Sequence, residues 1–315
     1  MRIVNFRQGP EHLLSYKAPN KITNKGIVHT ITRGESDSTG NILLGASAAA
    51  GICDLAAVCK ETNEDALVIA ETKGNALLLI IDGMGGHKNG EVAAEIVGGS
   101  IVKSFFAAAG ALDLPQAFST AHAEIKAFPT FCGIDRDHFP GAVATAALIE
   151  GNKFKGLNCG DARTYLWRKG KLLLLTRDNN LFFDIYNSFG RGKKPALKFP
   201  LTGNDLEGYY EAFRLCHVPY IGETENNVVT ICLGGGVAAD PVLDKIIEFD
   251  LEAGDLVLLV TDGLGDYLPF KNFIEVLQRR GHFSPEEVVN ELFLELLRFA
   301  PNDNVTIAAY THLRQ

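Results

Sequence analysis

The chain has 315 residues, of which 46% are hydrophobic and 22% are charged, a composition typical of a globular protein with a substantial core. Lys and Arg total 30 against 38 Asp and Glu, and the formal net charge of -8 argues against a general nucleic-acid-binding protein, which must neutralise phosphates. We expect neither a signal peptide nor a membrane span, because residues 1–15 lack an apolar core and no apolar run reaches the roughly 18 residues that a bilayer requires. The six cysteines are scattered and form no CxxC pair, which predicts reduced thiols in a cytoplasmic protein rather than disulfides or a zinc site.

Residues 1–50 are irregular apart from short β-like runs such as 26–32. We interpret them as an N-terminal extension packed on a main domain formed by residues 51–315. The apolar run ALLLII at 76–81 is followed at once by DGMGG, which favours a short buried strand over a helix. Apolar residues spaced along one face then predict two helices, over 89–109 and 115–128.

A β-rich block follows these helices. Three pairs of short apolar runs flank turn-forming residues and are each predicted as a hairpin: 142–149 with 154–159, 164–168 with 171–176, and 246–251 with 256–261. Residues 179–226 are less regular. The tail contains a capping box, Ser284 with Glu287, at the start of a helix, and then a last strand over 304–311. Hairpins interrupted by helix pairs fit antiparallel sheets packed face to face with helices outside.

Acidic residues stand at the ends of several predicted strands. Asp82 follows ALLLII, Asp262 follows LVLLVT, and Asp303 precedes NVTIAAY, while Glu64 and Asp65 precede a short apolar run. Each one alone is explained as well by a turn former. If the strands are neighbours, the carboxylates converge and require a cation or bound protons to offset their repulsion. Hard oxygen donors without a His or Cys ligand pattern predict Mg²⁺ or Mn²⁺ rather than zinc.

The glycines that follow Asp82 offer a further ligand. They let the backbone come close to an ion, so the carbonyl of Gly83 is a candidate donor. A plain tight turn into the next helix is the competing interpretation.

Short motifs occur in a fixed order over most of residues 51–311. They are KETNED at 60–65, DGMGGH at 82–87, NCGDAR at 158–163, LTRD at 175–178, NVVT at 227–230 with LGG at 233–235, TDGLGD at 261–266, and DNVT at 303–306. In this order they resemble the RxxNED, DGMGGH, GDSR, LTRDH, NxxTRALGG, SDGLWD and DNVT elements of the metal-dependent protein serine/threonine phosphatases (PPM, type 2C), in particular their bacterial branch.

The resemblance implies an α+β fold in which two antiparallel sheets form a central sandwich flanked by pairs of helices, a four-layer αββα arrangement. It implies a phosphoprotein phosphatase that hydrolyses phosphoserine and phosphothreonine by attack of a metal-bridging water or hydroxide, without a covalent intermediate. Residues 179–226 would form a flap or insert beside the active site. We expect two Mn²⁺ or Mg²⁺ ions, a phosphorylated protein substrate, no nucleic-acid or membrane partner, and a monomer.

The family's functional residues carry over motif by motif. Asp82 would bridge both ions, Asp262 and Asp303 would hold one of them, and Glu64 and the Gly83 carbonyl would hold the other, largely through water. Lys60 would bind the substrate phosphate and share the catalytic role with Asp82. Asp65 would support the ligands from behind, and Asp161 and Asp266 match a third, weaker ion site.

The chain departs from the family pattern at five positions. Lys60 replaces an arginine, which keeps the charge but loses the bidentate fork; a solvated lysine is the alternative. Met84 stands where eukaryotic members have a histidine and bacterial members commonly have methionine. Ala162, Asn179 and Gly265 replace Ser, His and a large residue, which concerns local packing rather than ion binding.

Other interpretations remain open at this point. The basic residues Arg191, Lys193 and Lys194 lie in the insert, where they would dock an acidic or phosphorylated substrate or would simply be solvated. The substituted Lys60 favours a pseudophosphatase, a regulatory binding module with the same fold. The metal motifs are equally compatible with a phosphatase for small phosphomonoesters.

Overall fold

The computed structural model describes residues 27–32, 38–44, 47–54, 63–72, 74–84, 90–132, 140–190, 196–216, 228–235, 243, 245–280 and 284–313. Several residues singled out from the sequence lie outside these ranges: residues 60–62 and 85–87 of the quoted motifs, which include Lys60, together with Asn227 and the basic residues Arg191, Lys193 and Lys194.

The described residues form fourteen strands and seven α-helices. The strands are β1 (Ile27–Thr32), β2 (Ser38–Leu44), β3 (Ser47–Asp54), β4 (Asp65–Thr72), β5 (Asn75–Gly83), β6 (Gly141–Glu150), β7 (Lys153–Cys159), β8 (Arg163–Arg168), β9 (Lys171–Leu174), β10 (Leu201–Thr202), β11 (Leu233–Gly234), β12 (Ile247–Asp250), β13 (Leu256–Val260) and β14 (Val305–Thr311). The helices are α1 (Gly90–Ala107), α2 (Leu114–Cys132), α3 (Leu181–Ile185), α4 (Gly203–Cys216), α5 (Asp262–Gly265), α6 (Phe270–Arg280) and α7 (Pro285–Leu297).

These strands build two antiparallel sheets. The first has the order β1-β4-β5-β6-β7-β12, with β11 also paired to β6. The second has the order β10-β9-β8-β13-β14-β3-β2. Helices α1 and α2 cover the first sheet, and α4, α6 and α7 lie on the side of the second.

Three hydrophobic layers separate the four layers of structure. The layer between the sheets contains Leu67, Ile80, Leu259 and Ala308. A second layer lies between the first sheet and helices α1 and α2, and a third between the second sheet and its helices. Because successive side chains of a strand point to opposite faces, the central strands are buried on both sides and read as continuous apolar runs. The predicted αββα sandwich is therefore confirmed.

One predicted hairpin is wrong. Strands β12 and β13 follow each other across a short turn, but β12 pairs with β7 in the first sheet and β13 lies between β8 and β14 in the second. Every residue of β13 is buried, as in a central strand, whereas β12 alternates between exposed and partly buried residues, as at an edge. A turn between two apolar runs does not specify which sheet receives each run, and here the chain crosses between the sheets.

The insert is more regular than the sequence suggested. It contains α3, a π-helical turn over Tyr186–Gly190, β10 and the amphipathic helix α4. The buried face of α4 is formed by Leu206, Tyr209, Tyr210 and Phe213. These large side chains pack on the second sheet. This packing explains why a helix forms in a segment whose sequence is polar overall.

The N-terminal residues in the described part add strands to both sheets. Strand β1 pairs with β4 and β2 pairs with β3, and β3 itself spans residue 50. The division into an extension and a main domain at that residue stays a prediction.

Cys53, Cys159 and Cys232 are buried as thiols. Among the described helices, none combines the length and apolar character needed to cross a bilayer.

Helix α7 packs on β3 and β14, and a short connection leads from its end at Leu297 to Asp303. The capping box predicted at its start is confirmed: Ser284 Oγ accepts from the Glu287 amide at 3.3 Å, and Glu287 Oε2 accepts from the Ser284 amide at 3.0 Å. We expect Ser284→Ala to lower the free energy of unfolding by about 1 kcal/mol, because the Glu287 amide loses the hydroxyl oxygen that accepts from it and Glu287 Oε2 loses the hydroxyl that donates to it. Ser104→Ala, within α1, is the matched control and should change stability by less than about half as much, since alanine favours a helix interior. Chemical denaturation of both variants checks this, and equal effects would contradict it.

Candidate metal centre

The acidic residues lie at one end of the layer between the two sheets. Along each strand the positions that face this layer change there from apolar to polar. Ile80 is followed two residues on by Asp82, Leu67 is preceded by Asp65, Leu259 is followed by Thr261, and Ala308 is preceded by Thr306. Asp65 and Asp82 are direct partners in the register of β4 and β5. Strand alternation therefore turns these side chains toward one another at the edge of the core.

Asp65 is enclosed between the sheets. Thr306 Oγ1 donates to Asp65 Oδ2 at 2.7 Å, and Thr261 Oγ1 donates to the same oxygen at 3.1 Å. The Thr306 amide donates to Thr261 Oγ1 at 2.9 Å, which fixes that hydroxyl. Only 3% of Asp65 is exposed, whereas Glu64, Asp82, Asp262 and Asp303 each keep part of their surface open. This difference in exposure fits the predicted division between a supporting aspartate and residues that can reach an ion.

Asp82, Asp262 and Asp303 come from three distant parts of the chain and act on one another electrostatically. Burial raises the pKa of Asp82 well above its ordinary value, and the charges of Asp262, Asp65 and Asp303 raise it further. Burial likewise raises the pKa of Asp65 to about 8, against hydrogen bonds from the two threonines that lower it. Asp82 also shares a side-chain hydrogen bond with Asp262. The carboxylates therefore converge as the sequence predicted.

Glu64 and the Gly83 carbonyl meet at the start of α1. The Gly83 amide donates to the Glu64 carbonyl at 3.0 Å, and the Glu64 amide donates to Asn304 Oδ1 at 2.9 Å. A Cβ placed on Gly90 would lie 2.8 Å from Glu64 Oε1 and 3.0 Å from the Gly83 carbonyl oxygen. The absence of a side chain at Gly90 thus leaves a cradle lined by two oxygen donors.

A neighbouring acidic group is formed by Asp161, Asp262 and Asp266. Burial raises the pKa of Asp161 to about 7, with a further contribution from Asp262, while Asn180 Nδ2 donates to Asp161 Oδ2 at 3.2 Å. Burial also raises the pKa of Asp266 well above its ordinary value, and Asp262 and Asp161 add to this effect. Asp262 and Asp266 lie one helical turn apart across α5. The two residues predicted for a third ion therefore adjoin the main group.

The spacing of the acidic side chains differs from that of a closed ion site. Within the described ranges, no three His, Cys, Asp or Glu side chains are drawn together as a ready-made cage for an ion. The carboxylates are grouped closely enough to couple their charges, and further approach would require side-chain adjustment. Lys60, the predicted phosphate ligand, lies outside the described residues.

Three contributors were missed as individual residues. Thr261, Thr306 and Asn304 hold the acidic residues in place, and all three are part of quoted motifs without having been given a role. The available signal was positional: Thr306 in β14 and Thr261, directly after β13, each stand two positions from a core residue and continue the alternation of that strand.

The donor set fits hard divalent cations. It consists of carboxylate oxygens and one backbone carbonyl, the ligand types that Mg²⁺ and Mn²⁺ prefer. A cation would relieve the repulsion that raises the pKa of Asp82. Glu64 Oε1 and the Gly83 carbonyl oxygen, beside the side-chain-free Gly90, form one group of oxygen donors, and the carboxylates of Asp82, Asp262 and Asp303 form another.

The raised pKa values predict a pH dependence of stability in metal-free protein. The folded chain keeps the Asp65 proton up to about pH 8, whereas the unfolded chain releases it near the ordinary value of 3.8. Because the folded state then binds more protons than the unfolded state, stability should fall as pH rises from about 4 to about 8. Unfolding curves in a chelator at several pH values measure this, and Asp65→Asn should reduce the dependence, while the raised pKa values of Asp82, Asp161 and Asp266 account for the part that remains. A stability that stays constant or rises with pH would contradict the assignment, and added Mn²⁺ should restore stability at the alkaline end.

Comparison with known proteins identifies the family. The family described as Protein phosphatase 2C matches residues 57–298. The chain is 27% identical over 262 residues to the serine/threonine protein phosphatase PstP of Mycobacterium tuberculosis, covering 79% of this chain but only 42% of that protein. It is 23% identical over 253 residues to the serine/threonine phosphatase stp of Listeria welshimeri, covering 78% of this chain and 88% of the relative.

A solved structure extends the comparison to the fold. The crystal structure of the catalytic domain of PstP in complex with two manganese ions aligns with a TM-score of 0.64 at 25% identity, over 85% of this chain and 99% of that domain. The chain thus spans less than half the length of the mycobacterial protein, and the part it matches in this structure is the catalytic domain. The family match covers most of the chain, and the resemblance inferred from the motifs is confirmed. The chain belongs to the protein phosphatase 2C family.

Proposed function

We propose that this chain is a metal-dependent phosphatase that hydrolyses phosphoserine and phosphothreonine in proteins. The observation that carries the proposal is the convergence of Asp82, Asp262 and Asp303 beside the buried Asp65. A protein substrate is supported by the relatives, which are named serine/threonine phosphatases. We extend the proposal to a monomeric, cytoplasmic enzyme with no nucleic-acid or membrane partner; the acidic composition supports the exclusion of nucleic acid.

Five groups would hold the ions in this proposal. Asp82 would lie between two cations, Asp262 and Asp303 on one side, and Glu64 with the Gly83 carbonyl on the other. When bound, a pair of divalent cations ionises water near neutral pH and offsets the negative charge of the attacking and leaving oxygens of a phosphoryl group. Uncatalysed hydrolysis of phosphate monoesters is among the slowest reactions known, so a large contribution of this kind is required.

The protein's own part is to fix the carboxylates before substrate arrives. Asp65, held by the hydroxyls of Thr261 and Thr306, stands behind Asp82 in the adjacent strand. Asn304 links the segment of Asp303 to that of Glu64, since its side-chain oxygen accepts from the Glu64 amide while its backbone amide donates to Asp303 Oδ1 at 2.8 Å. Such indirect partners set the orientation of ligands and change ion affinity when they are removed.

Lys60 is proposed to bind the substrate phosphate and to act in catalysis with Asp82. A lysine supplies a positive point charge without the paired donors of an arginine, so a weaker grip on phosphate is the expected cost. The basic residues Arg191, Lys193 and Lys194 are proposed to dock acidic or phosphorylated substrates, and they, like Lys60, lie outside the described residues.

Substitution of the central carboxylates tests the proposed activity. Asp82→Asn and Asp262→Asn should each lower kcat/KM for a chromogenic phosphate ester with Mn²⁺ by at least about a hundredfold, which corresponds to about 3 kcal/mol of transition-state stabilisation. Asp250→Asn, an exposed aspartate on β12, makes the same chemical change away from the site and should leave the rate unchanged. Wild-type protein that stays inactive with Mn²⁺ and with Mg²⁺ would refute the enzyme and favour a pseudophosphatase.

Substrate class requires a separate measurement. We expect kcat/KM for phosphoserine and phosphothreonine peptides to exceed that for small phosphate esters and to vary with the residues around the phosphate, because a protein substrate contacts surface beyond the reacting group. A panel of phosphopeptides and small monoesters at one fixed Mn²⁺ concentration measures this. Uniform rates across the peptides, together with faster turnover of one small ester, would favour a small-molecule phosphatase.

A further inference from the structure

Arg163 is a buried cation next to the acidic site. It starts β8, is 2% exposed, and stands opposite Val260 in the register with β13, two residues before Asp262. Its Nε donates to Asp178 Oδ1 at 3.0 Å and Oδ2 at 2.9 Å, and its Nη2 donates to Asp178 Oδ2 at 2.7 Å. Because a buried guanidinium is unfavourable unless it is paired, this contact fixes the side chain in one position.

The remaining guanidinium nitrogen faces the acidic site. Arg163 Nη1 lies 3.4 Å from Asp266 Oδ1. Asp266 is charge-coupled to Asp262 and Asp161. The arginine therefore connects Asp178, on its far side, with one of the residues matched to the third ion site.

Helix α4 of the insert contacts both Asp178 and Arg163 and so stabilises the connection between Asp178 and Asp266. The Tyr209 hydroxyl donates to Asp178 Oδ2, and the rings of Tyr209, Tyr210 and Phe213 surround the guanidinium with its carbon 5.9, 5.9 and 5.0 Å from their centroids. Cations are attracted to aromatic faces at such distances. The insert thus contacts the acidic site through Tyr209, Asp178 and Arg163 in sequence.

Gly265 leaves room for the same guanidinium. A Cβ on Gly265 would lie 2.3 Å from Arg163 Nη1, closer than two atoms can approach without displacement. This residue departs from the large side chain of the family motif, and in this structure the guanidinium of Arg163 occupies the space beside its Cα. In this chain the volume beside α5 is taken by the arginine that reaches Asp266.

We propose that Arg163, held by Asp178 and Tyr209, is a positioning residue that sets the location of Asp266 for a weaker third divalent cation and so makes the insert part of the ion site. The inference rests on the proposed metal-dependent function. It concerns how the weaker ion is held and not whether Asp82 and Asp262 support hydrolysis. Groups one contact removed from a ligand typically change ion affinity by about tenfold to a hundredfold when they are altered.

Two adjacent tyrosines give a matched test. Tyr209→Phe and Tyr210→Phe each remove one buried hydroxyl from the same helix, but only the Tyr209 hydroxyl reaches Asp178, while that of Tyr210 pairs with Tyr165. Mn²⁺ is titrated into the metal-free 315-residue chain by calorimetry, and melting temperatures are measured alongside. We expect the wild type to show stronger and weaker classes of Mn²⁺ binding. Tyr209→Phe should weaken the weaker class by about tenfold, and Tyr210→Phe should leave it within about twofold despite a similar loss of thermal stability.

A steric variant keeps the proposal testable if a tyrosine variant folds poorly. Gly265→Ala should displace the guanidinium and weaken the same class of Mn²⁺ sites without removing a polar group. Gly99→Ala is its control, because a Cβ on Gly99 in α1 meets open space. Equal effects of Tyr209→Phe and Tyr210→Phe, an unchanged affinity in Gly265→Ala, or a wild type without a weaker class would overturn the proposal.

Failure of the proposed function would look different. In that case wild-type protein would hydrolyse no phosphate ester with Mn²⁺, whereas the two tyrosine variants would still differ in Mn²⁺ affinity. An active wild type whose tyrosine variants bind Mn²⁺ identically would leave the phosphatase standing and remove the role assigned to Arg163.

Discussion

The crowding of carboxylates at one end of the inter-sheet layer is the constraint on which the rest of the site depends. Asp65, Asp82, Asp262 and Asp303 are brought together by strands of both sheets, and burial and mutual repulsion raise the pKa of Asp82 well above its ordinary value. Such a group is stable only if protons or cations offset its charge. The fold therefore concentrates negative charge at a place where hydrophobic packing has just ended, and this arrangement creates the demand for divalent ions.

The surrounding contacts hold this charge without neutralising it. Asp65 is bound by two threonine hydroxyls, which fix the carboxylate but carry no charge of their own. By contrast, Asp178 is bound by the Arg163 guanidinium on the side of the second sheet that faces the helices. The neutral partners of Asp65 and the cationic partner of Asp178 have different consequences. The first leaves negative charge available to an ion, and the second builds a rigid support.

The part of the site predicted from the sequence came from residues that follow or precede uninterrupted apolar runs. ALLLII before Asp82 and LVLLVT before Asp262 placed those carboxylates at strand ends by local pattern alone. That the strands are neighbours does not follow from any local pattern, since β5 and β13 lie in different sheets. The order of the motifs supplied this long-range information through the resemblance to a family. The same limit explains the wrong hairpin, because the turn between β12 and β13 is locally like any other.

The insert illustrates what local patterns cannot supply. Helix α4 has a polar sequence, and its regular structure depends on tyrosine and phenylalanine side chains that find a buried surface only in the folded protein. Gly265 was notable in the sequence only as a departure from the family motif, and its contact with Arg163, about a hundred residues earlier in the chain, is evident only in the folded protein. A departure from a family pattern is therefore best judged from its neighbours in space, which can lie in a distant segment of the chain. The neighbour of Gly265 is a charged group that reaches Asp266, so a side chain at position 265 would change the electrostatics of the site as well as its packing.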